Sequence, residues 1–487
     1  MQNHRSVVVI GAGLSGLVCG YRLKTLGVDV LLIEKSDRFG GVIQSERIDG
    51  FLIERGPNSS QGTEDLMALV EELAITGELV EGDPKAPAYV YFDGKLHAVP
   101  SGAGSFIKSN LLSFGGKLRI ATEPFVAVRR EATEESVAAF ARRRIGPEAA
   151  ERLVAPFVSG IYAGDADRLS VQAAFPRLAI LETTYGGLIR GTFAKGREAR
   201  RARESAVAVL EKAAPTRRRA VSFREGMAFL PNTLARRLGE DLVTGCSEIR
   251  LLVSDRGSSR AQEAPGSRTA TGTIASEFEV EFTRAGARDR LTCDRVIIAT
   301  PARATSALVA NLSDDLSRLL DEIEYPPLAV LSIAYEASAI RVALNGFGFL
   351  AAPSEGLNIL GCVWNSSLFA GRAPEGKALL TVFIGGARNP GAARLADDEL
   401  VSTAHSELQR VLGISSEPRV VAITRYERSI PQYNLGHAER VQRIESLPTR
   451  VPGLNLIGNY LHGVSTGDCI KEADRVAREV ARCLNDS

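Results

Sequence analysis

The sequence predicts an α/β fold: a discontinuous Rossmann-like domain that binds a dinucleotide, a mixed-sheet second domain and a helical lobe. Three observations support this prediction. Residues 7–33 run from an apolar stretch through a glycine-rich turn and a helix to a second apolar stretch. Residues 295–299 and 454–459 resemble later strands of the same sheet. Residues 329–335 and 378–384 have the β-branched and aromatic content of strands in a second sheet.

The turn at residues 11–16, Gly-Ala-Gly-Leu-Ser-Gly, has the spacing of a pyrophosphate-binding site. Gly11 permits the tight turn, Gly13 lets the backbone approach a pyrophosphate, and Gly16 lets the helix pack closely on the strand. Glu34 follows the second strand, where a carboxylate can accept hydrogen bonds from an adenosine ribose. We therefore predict a dinucleotide site formed by Gly11, Ala12, Gly13, Leu14, Ser15, Gly16 and Glu34.

Small residues beyond Glu34 favour FAD over a nicotinamide dinucleotide. Residues 35–42 and 55–59 can lie along an extended FAD, and the alternative for the first segment is a surface turn that happens to hold two glycines. Residues 458–466 form a glycine-rich turn from strand to helix, whose amides can face a flavin ring or a phosphate, although a plain α/β loop has the same pattern. The further predicted FAD-binding residues are Lys35, Arg38, Gly40, Gly41, Val42, Gly56, Pro57, Asn58, Ser59, Glu248, Thr300, Gly458, Asn459, Val464, Ser465 and Thr466.

The composition is that of an ordinary folded protein. The 487 residues suffice for two or three domains, with 45% apolar and 24% charged residues. The net charge of +1 gives no reason to expect a nucleic-acid partner. The six cysteines are scattered, so we predict free thiols in a reducing cytosol and no metal site. The sequence shows no stretch typical of a signal peptide or a membrane-spanning helix.

The order of these features predicts how the chain divides into domains. Between residues 89 and 128, short apolar patches are interleaved with lysine and arginine. That pattern can lie on a bilayer surface, and it equally suits a helical lobe packed on itself, so both alternatives stay open. The predicted domains are an FAD-binding domain over residues 1–84, 220–305 and 440–487, a mainly helical lobe over 85–219, and a substrate-binding domain over 306–439 that includes parts of the helical lobe.

Several motifs occur in the order typical of one flavoprotein family. They are Gly-Ile-Tyr-Ala-Gly-Asp at residues 160–165, Tyr-Pro-Pro at 325–327, Gly-Phe-Gly-Phe-Leu at 346–350, Ile-Gly-Gly at 384–386 and Ile-Pro-Gln-Tyr at 430–433. Over nearly its whole length the chain resembles the oxygen-dependent protoporphyrinogen oxidases, and the plastid-type members most. The flavin motif alone would also suit amine oxidases and carotenoid desaturases.

The resemblance implies a reaction centred on FAD, with no catalytic side chain. Three rounds of hydride transfer to the flavin, each followed by reoxidation with oxygen and release of hydrogen peroxide, would convert protoporphyrinogen IX to protoporphyrin IX in heme biosynthesis. Coproporphyrinogen III is the alternative substrate, and a flavin amine oxidase is a more distant alternative. The resemblance also implies peripheral attachment to the inner face of the plasma membrane or of an organelle, and it leaves open a homodimer and handover to a chelatase.

The resemblance further implies a substrate pocket. Leu350, Val363 and Phe383 match positions that clamp the tetrapyrrole rings, and Gly160 and Gly164 line the other side. Ala88 is a departure, because the plastid-type members have an arginine there that pairs with a substrate propionate. Another cation, a shifted substrate preference, or an engineered or inhibitor-tolerant substitution would each explain the alanine.

Overall fold

The computed structural model describes residues 4–129, 133–206, 219–255, 276–446 and 451–486. The strands of the described residues are β1 (His4–Ile10), β2 (Val30–Ile33), β3 (Ser45–Ile48), β4 (Phe51–Glu54), β5 (Ser60–Gln61), β6 (Leu79–Glu81), β7 (Ala88–Phe92), β8 (Lys95–Ala98), β9 (Ala220–Phe223), β10 (Leu242–Val243), β11 (Ser247–Asp255), β12 (Ser276–Arg284), β13 (Ala287–Ile298), β14 (Leu328–Glu336), β15 (Gly348–Ala351), β16 (Ile359–Val363), β17 (Lys377–Gly385), β18 (Arg419–Tyr426) and β19 (Leu454–Leu456).

The α-helices of the same residues are α1 (Leu14–Thr25), α2 (Glu64–Glu72), α3 (Ala103–Lys108), α4 (Phe114–Ala121), α5 (Val137–Ile145), α6 (Pro147–Ala149), α7 (Ala155–Tyr162), α8 (Val171–Ala174), α9 (Pro176–Tyr185), α10 (Leu188–Ala206), α11 (Phe229–Leu238), α12 (Ala302–Val309), α13 (Asp314–Asp321), α14 (Asn365–Leu368), α15 (Asp397–Leu412), α16 (His437–Ser446) and α17 (Thr466–Asn485). A π-helical turn, Ala150–Val154, joins α6 to α7.

The first sheet unites strands from distant parts of the chain. Its strands lie in the order β10, β2, β1, β13, β12 and β11, with β19 beside β13. Strand β1 is parallel to β2 and β13, and β19 is parallel to β13. Helices α1, α11 and α17 contribute to the core on one face, and α12, α13 and α16 to the core on the other. Because both faces are covered, residues 7–10 of β1 and all of β2 are continuously apolar rather than alternating.

The second sheet packs one face against α15, and its other face contacts β4 and the residue that follows α7. Its strands lie in the order β18, β14, β17, β16, β15, β7 and β8. Leu331, Phe349 and Val382 belong to the core that this sheet forms with α15. Strands β7 and β8, predicted to begin the helical lobe, instead pair with this sheet, because β7 buries Val90 and Tyr91 against a strand some 260 residues away in sequence. The helices of the lobe begin with α3.

Helices α3–α10 form the lobe, whose residues 130–132 and 207–218 lie outside the described residues. Glu123 and Arg144 are both 0% exposed and form an ion pair. Glu123 also accepts hydrogen bonds from the backbone N–H groups of Leu188 (2.9 Å) and Ile189 (3.0 Å), where α10 begins. Removing one member of a buried pair costs about 3–5 kcal/mol, so this pair ties α10 to the rest of the lobe.

The lobe also exposes many large apolar side chains. Phe114 and Phe125 are each 83% exposed. The others on this surface are Ile107, Leu118, Phe157, Ile161, Ile180 and Phe193. We call these eight residues the apolar lobe surface. Among the residues that the structure describes, no helix combines the length and the apolar character needed to span a bilayer.

Candidate functional site

The glycine-rich turn between β1 and α1 leaves space for a bound group. A Cβ atom at Gly13 would meet nothing within 4 Å, whereas one at Gly16 would collide with the carbonyl oxygen of Gly11. Gly11 has φ = +106°, a conformation that favours glycine. Helix α1 has no acidic residue in its first turn, so its free N–H groups can face an anion. Leu14 and Ser15 are buried within this turn.

Glu34 is held at the end of β2 by backbone donors. Its Oε2 accepts a hydrogen bond from the N–H of Ala12 (2.7 Å), and its Oε1 accepts one from the N–H of Ser36 (2.9 Å). Each carboxylate oxygen keeps a second lone pair, which a ribose hydroxyl can use. The exposed Lys35 follows Glu34 in the chain.

The segment before β11 lies beside Glu34. The N–H of Cys246 donates to the carbonyl of Glu34 (2.9 Å), and the N–H of Gly245 donates to that of Ser36 (2.7 Å). Glu248 is exposed, and its carboxylate accepts from the hydroxyl of Thr283 (2.9 Å). The structure therefore brings the backbone near Glu248 to the adenosine end of the site, while the side chain of Glu248 bonds to β12.

A second layer of small residues lies against Gly13. The N–H of Gly40 donates to the carbonyl of Ala12 (2.8 Å), and a Cβ at Gly41 would lie 3.2 Å from the Cα of Gly13. Arg38 donates to the carbonyl of Gly41 (2.8 Å). The apolar side chain of Val42 is 53% exposed beside these buried turns. An extended cofactor would cover it.

The segment of residues 55–60 follows directly. A Cβ at Gly56 would collide with the carbonyl oxygen of Val42. Pro57 and Ser59 are half-buried, and Ser60 bonds to Thr466 at the start of α17. Together these contacts connect the first predicted FAD segment to the C-terminal one.

Asn58 is buried and has a partner that the sequence did not suggest. The side-chain amide of Asn365 donates to Asn58 Oδ1 (2.5 Å), and both residues are buried. Asn365 follows β16, which carries the predicted pocket residue Val363. This bond joins the flavin segment to the substrate sheet, and only the long-range pairing of the second sheet could have revealed it.

The C-terminal turn lies between β19 and α17. Tyr433 binds it twice, by donating to the carbonyl of Asn459 (2.6 Å) and accepting from the N–H of Gly463 (2.8 Å). Ser465 caps α17 by accepting from the N–H of Asp468 (3.1 Å). A Cβ at Gly458 would meet the ring of Tyr460 at 2.6 Å. Val464, in the same turn, packs on the core of the lobe. Thr300, which follows β13, lies against Gly11 of the first glycine-rich turn.

Burial controls protonation at two further groups. Burial raises the pKa of Tyr433 well above its ordinary value, so its phenol stays protonated and can donate at neutral pH. Burial also raises the pKa of Glu54 to about 7, although Ser45 and the N–H of Met227 both donate to its carboxylate. Glu54 ends β4, immediately before the flavin segment.

The predicted pocket residues lie on one face of the second sheet. Leu350 is paired with Gly361, which is paired with Phe383. Val363 is paired with Gly348, which is paired with Ala88. Leu350, Val363 and Phe383 are half-buried, whereas their neighbours on the opposite face are buried against α15. The described residues thus place an apolar wall on this face, with the exposed Ala88 at its outer edge.

Helix α7 faces this wall through a glycine. A Cβ at Gly160 would lie 2.5 Å from Leu350 Cδ2. Gly164 does not reach the wall: a Cβ there would lie 2.7 Å from Gln432 Oε1. Val330 was not predicted as a pocket residue, but it is paired with Phe383 on the same face. Strand β14 is buried on both faces, so no local pattern singles out Val330, and only its pairing with β17 identifies it.

These residues fit FAD. The open space at Gly13, the start of α1 without an acidic residue and the exposed Val42 suit an extended anionic cofactor that begins at Glu34. Together with an apolar wall on the second sheet, they are typical of a flavin-dependent oxidoreductase. The chain belongs to the family of flavin containing amine oxidoreductases, whose model matches residues 14–481. Its cofactor is FAD.

Known proteins place the chain more closely. It is 34% identical to protoporphyrinogen oxidase 1, chloroplastic, from Spinacia oleracea, over 98% of this chain and 84% of that protein. It is 28% identical to coproporphyrinogen III oxidase from Bacillus subtilis (strain 168), over 96% of each. The fold matches the crystal structure of an Exiguobacterium sp. 255-15 protein assigned as a protoporphyrinogen oxidase, with a TM-score of 0.77, 22% identity and 99% coverage of each chain. The family resemblance predicted from the motifs is confirmed.

Proposed function

We propose that this chain is a porphyrinogen oxidase that converts protoporphyrinogen IX to protoporphyrin IX. The six electrons and six protons removed from the porphyrinogen pass to three molecules of oxygen, which leave as three molecules of hydrogen peroxide. The observation that carries this proposal is the half-buried apolar wall of Leu350, Val363 and Phe383, bordered by Gly160 of α7. A flat macrocycle needs such surfaces more than it needs an acid or a base.

FAD, when bound, supplies the acceptor for hydride. The residues of the chain position the macrocycle and exclude water. Leu350, Val363 and Phe383 would contact the macrocycle, and Gly160, which packs directly on Leu350, would border the pocket at the end of α7. Holding the reacting atoms in one geometry accounts for a large part of an enzyme's rate enhancement, so the spacing between this wall and the flavin segment is the main contribution of the protein.

Coproporphyrinogen III is the second candidate substrate, because relatives with either activity cover nearly the whole chain. Coproporphyrinogen carries four propionates and protoporphyrinogen two, so a pocket for the former needs more cations. Ala88 stands where the plastid-type members have an arginine, so the pocket edge has one cation fewer. The smaller number of cations favours protoporphyrinogen. The sequence identity is 33–34% to four chloroplastic protoporphyrinogen oxidases, 29–30% to two further protoporphyrinogen oxidases and 28–29% to two coproporphyrinogen oxidases.

An aerobic assay with both porphyrinogens tests the proposal. We expect porphyrin fluorescence to rise faster with protoporphyrinogen, with three oxygen molecules consumed per porphyrin formed. A polyamine serves as the control substrate for an amine oxidase and should give no oxygen consumption. Oxidation of both porphyrinogens at the rate of the enzyme-free background would refute the proposal.

We also propose that the protein attaches to a membrane surface through the apolar lobe surface, on the cytoplasmic side of the plasma membrane or on an organelle. Eight large apolar side chains exposed on one lobe are typical of an interaction surface. A homodimer and delivery of product to a chelatase stay predictions of the resemblance.

Sedimentation with lipid vesicles tests the attachment. Phe114→Ser combined with Phe125→Ser should release the protein from the vesicles. Val420→Ser, which removes an exposed apolar side chain from β18, is the matched control and should not. Equal sedimentation of the double variant and the wild type would contradict a membrane role for this surface.

A further inference from the structure

Residues 430–433 lie between the two sides of the site. Gln432 and Tyr433 are 2% and 1% exposed, although neither belongs to a helix or strand. The N–H of Gln432 donates to the carbonyl of Glu324 (2.9 Å), and the carbonyl of Tyr433 accepts from the N–H of Ser170 (2.8 Å). The backbone of this segment is therefore fixed, and its two adjacent side chains reach in different directions.

Gln432 binds the substrate side. Its Nε2 donates to the carbonyl of Tyr162 (2.8 Å), the last residue of α7, and to that of Ile430 (3.0 Å). Ala163 follows in the left-handed conformation, with φ = +47°, which a side chain adopts at a cost. The carbonyl of Ala163 accepts from the N–H of Ala387 (2.7 Å), just beyond β17. Gln432 thus fixes the end of the helix that carries Gly160.

Tyr433 binds the flavin side. Its hydroxyl joins the carbonyl of Asn459 and the N–H of Gly463, which span the turn before α17. Its ring stacks on His437 with centroids 4.1 Å apart and planes 12° apart. The ring of Tyr162 lies 5.7 Å away, so the two aromatic residues also contact each other.

We propose that Gln432 and Tyr433 act together as positioning residues, which set the distance between the end of α7 and the Asn459–Gly463 turn. This inference rests on the proposed function, because α7 forms one side of the porphyrinogen pocket and the turn belongs to the FAD site. Neither side chain touches substrate. Each acts through the backbone that it binds, and the pair makes the two sides of the site move as one body.

The reason for such a link is the geometry of hydride transfer. Misplacing a substrate by about 1 Å can slow a reaction about a hundredfold. Helix α7 and the C-terminal turn are separated by almost 300 residues of sequence, and the described hydrogen bonds join them through this segment. The link should therefore affect the step in which substrate and flavin meet, and no other.

Tyr433→Phe tests the link, because it removes the bridging hydroxyl and keeps the ring. The variant and the wild type are mixed anaerobically with protoporphyrinogen, and the loss of visible flavin absorbance gives the rate of flavin reduction. Chemically reduced enzyme is then mixed with oxygen to give the rate of reoxidation. Tyr335→Phe is the matched control, since it removes a buried hydroxyl that bonds to His405 (3.1 Å) away from the site.

We expect Tyr433→Phe to slow flavin reduction about tenfold to a hundredfold, as loss of a buried hydrogen-bonding group allows. With FAD present in excess, the rate of reoxidation should equal that of the wild type and of the control. Unchanged reduction, or equal slowing of reduction and reoxidation, would overturn the inference and leave the proposed function intact. Failure of the wild type itself to be reduced by either porphyrinogen would overturn both.

Gln432→Met provides a second test, since methionine has a similar shape and no donor for Tyr162. If the two residues act as one link, the slowing in the double variant will be smaller than the product of the two single effects. If the two substitutions act independently, the factors by which they slow flavin reduction will multiply in the double variant, and that result would contradict joint action.

Discussion

The flavin side and the substrate side of the site are built from different kinds of contact. On the flavin side, backbone groups and glycines from short segments approach one another, as at Gly11, Gly13 and Gly41. On the substrate side, apolar side chains from separate strands share one face of a sheet, as Leu350 and Phe383 do. In the first arrangement a Cβ would crowd its neighbours at Gly11 and Gly41 and would enter the space left for the cofactor at Gly13, whereas the second arrangement can be adjusted by changing side-chain volume. The cofactor site should therefore be intolerant of substitution and the pocket tunable.

The largest effect is expected at Gly13. Its backbone is extended, with φ = −70° and ψ = 178°, and nothing lies near its missing Cβ, so Gly13→Val should fold. The added side chain occupies the space left for the pyrophosphate, and we expect FAD affinity to fall about a hundredfold. Titration of the apoprotein with FAD, followed by flavin fluorescence, measures this.

Gly77→Val is the matched control, because a Cβ at Gly77 also meets nothing within 4 Å and lies outside the site. Wild-type FAD affinity in Gly13→Val would show that the cofactor takes another path. Loss of affinity in both variants would instead indicate a general effect of valine on the fold.

The contrast also explains what the sequence could predict. The FAD path depends on residues close in sequence, so the spacing of Gly11, Gly13, Gly16 and Glu34 identifies it. The bond between Asn58 and Asn365 joins residues 307 positions apart, and no local pattern encodes it. For the same reason, the pairing of β7 with β15 was missed, and the lobe was predicted to begin too early. The pocket wall was found through family resemblance, because each of its residues alone is typical of an ordinary strand.

On the substrate side, Gly160→Val should block the pocket and spare the cofactor. A Cβ at Gly160 already meets Leu350 at 2.5 Å, so valine must displace the wall or occupy the space for the macrocycle. We expect kcat/KM for protoporphyrinogen to fall about tenfold to a hundredfold with unchanged FAD content.

A second substitution tests whether Gly160→Val loses activity because the valine fills the pocket or because it disturbs α7. Adding Leu350→Ala to Gly160→Val restores space on the opposite side, so part of the lost activity should return. If the double variant is no more active than Gly160→Val, the loss arises from α7 itself, and the pocket is less tunable than the comparison suggests.

A smaller effect, of opposite sign, is expected at Ala88. This exposed residue lies at the outer edge of the wall, where an arginine can reach a propionate. A charge-assisted hydrogen bond contributes about 1.5–3 kcal/mol when well placed, so Ala88→Arg should lower KM about tenfold and tighten binding of acidic inhibitors. Ala88→Met adds similar length without charge and should change neither. Unchanged KM and inhibitor affinity in Ala88→Arg would contradict the prediction that a cation at this position strengthens substrate binding.

The smallest expected effect concerns His437, which stacks on Tyr433. Burial, with Arg440 and His462 nearby, lowers the pKa of His437 to about 4 from an ordinary 6.5. Because the folded protein favours the neutral ring, the stability that this group contributes is complete above pH 6.5 and is lost as the pH falls toward 4. Since Tyr433 holds the C-terminal turn, acid should loosen that turn and release FAD. Retention of FAD on the flavin side would then depend on pH, whereas the apolar wall on the substrate side would not.

His437→Phe keeps a ring beside Tyr433 and removes the titration, so FAD should be retained to a lower pH, by about half a unit. Flavin fluorescence during acid titration reports the release. His405→Phe is the control, because His405 also stacks on a tyrosine, Tyr335, with centroids 5.9 Å apart, but belongs to α15, away from the flavin side. Release at the same pH in His437→Phe and the wild type would mean that acid acts elsewhere, and Tyr433 would then position the turn without making it sensitive to pH.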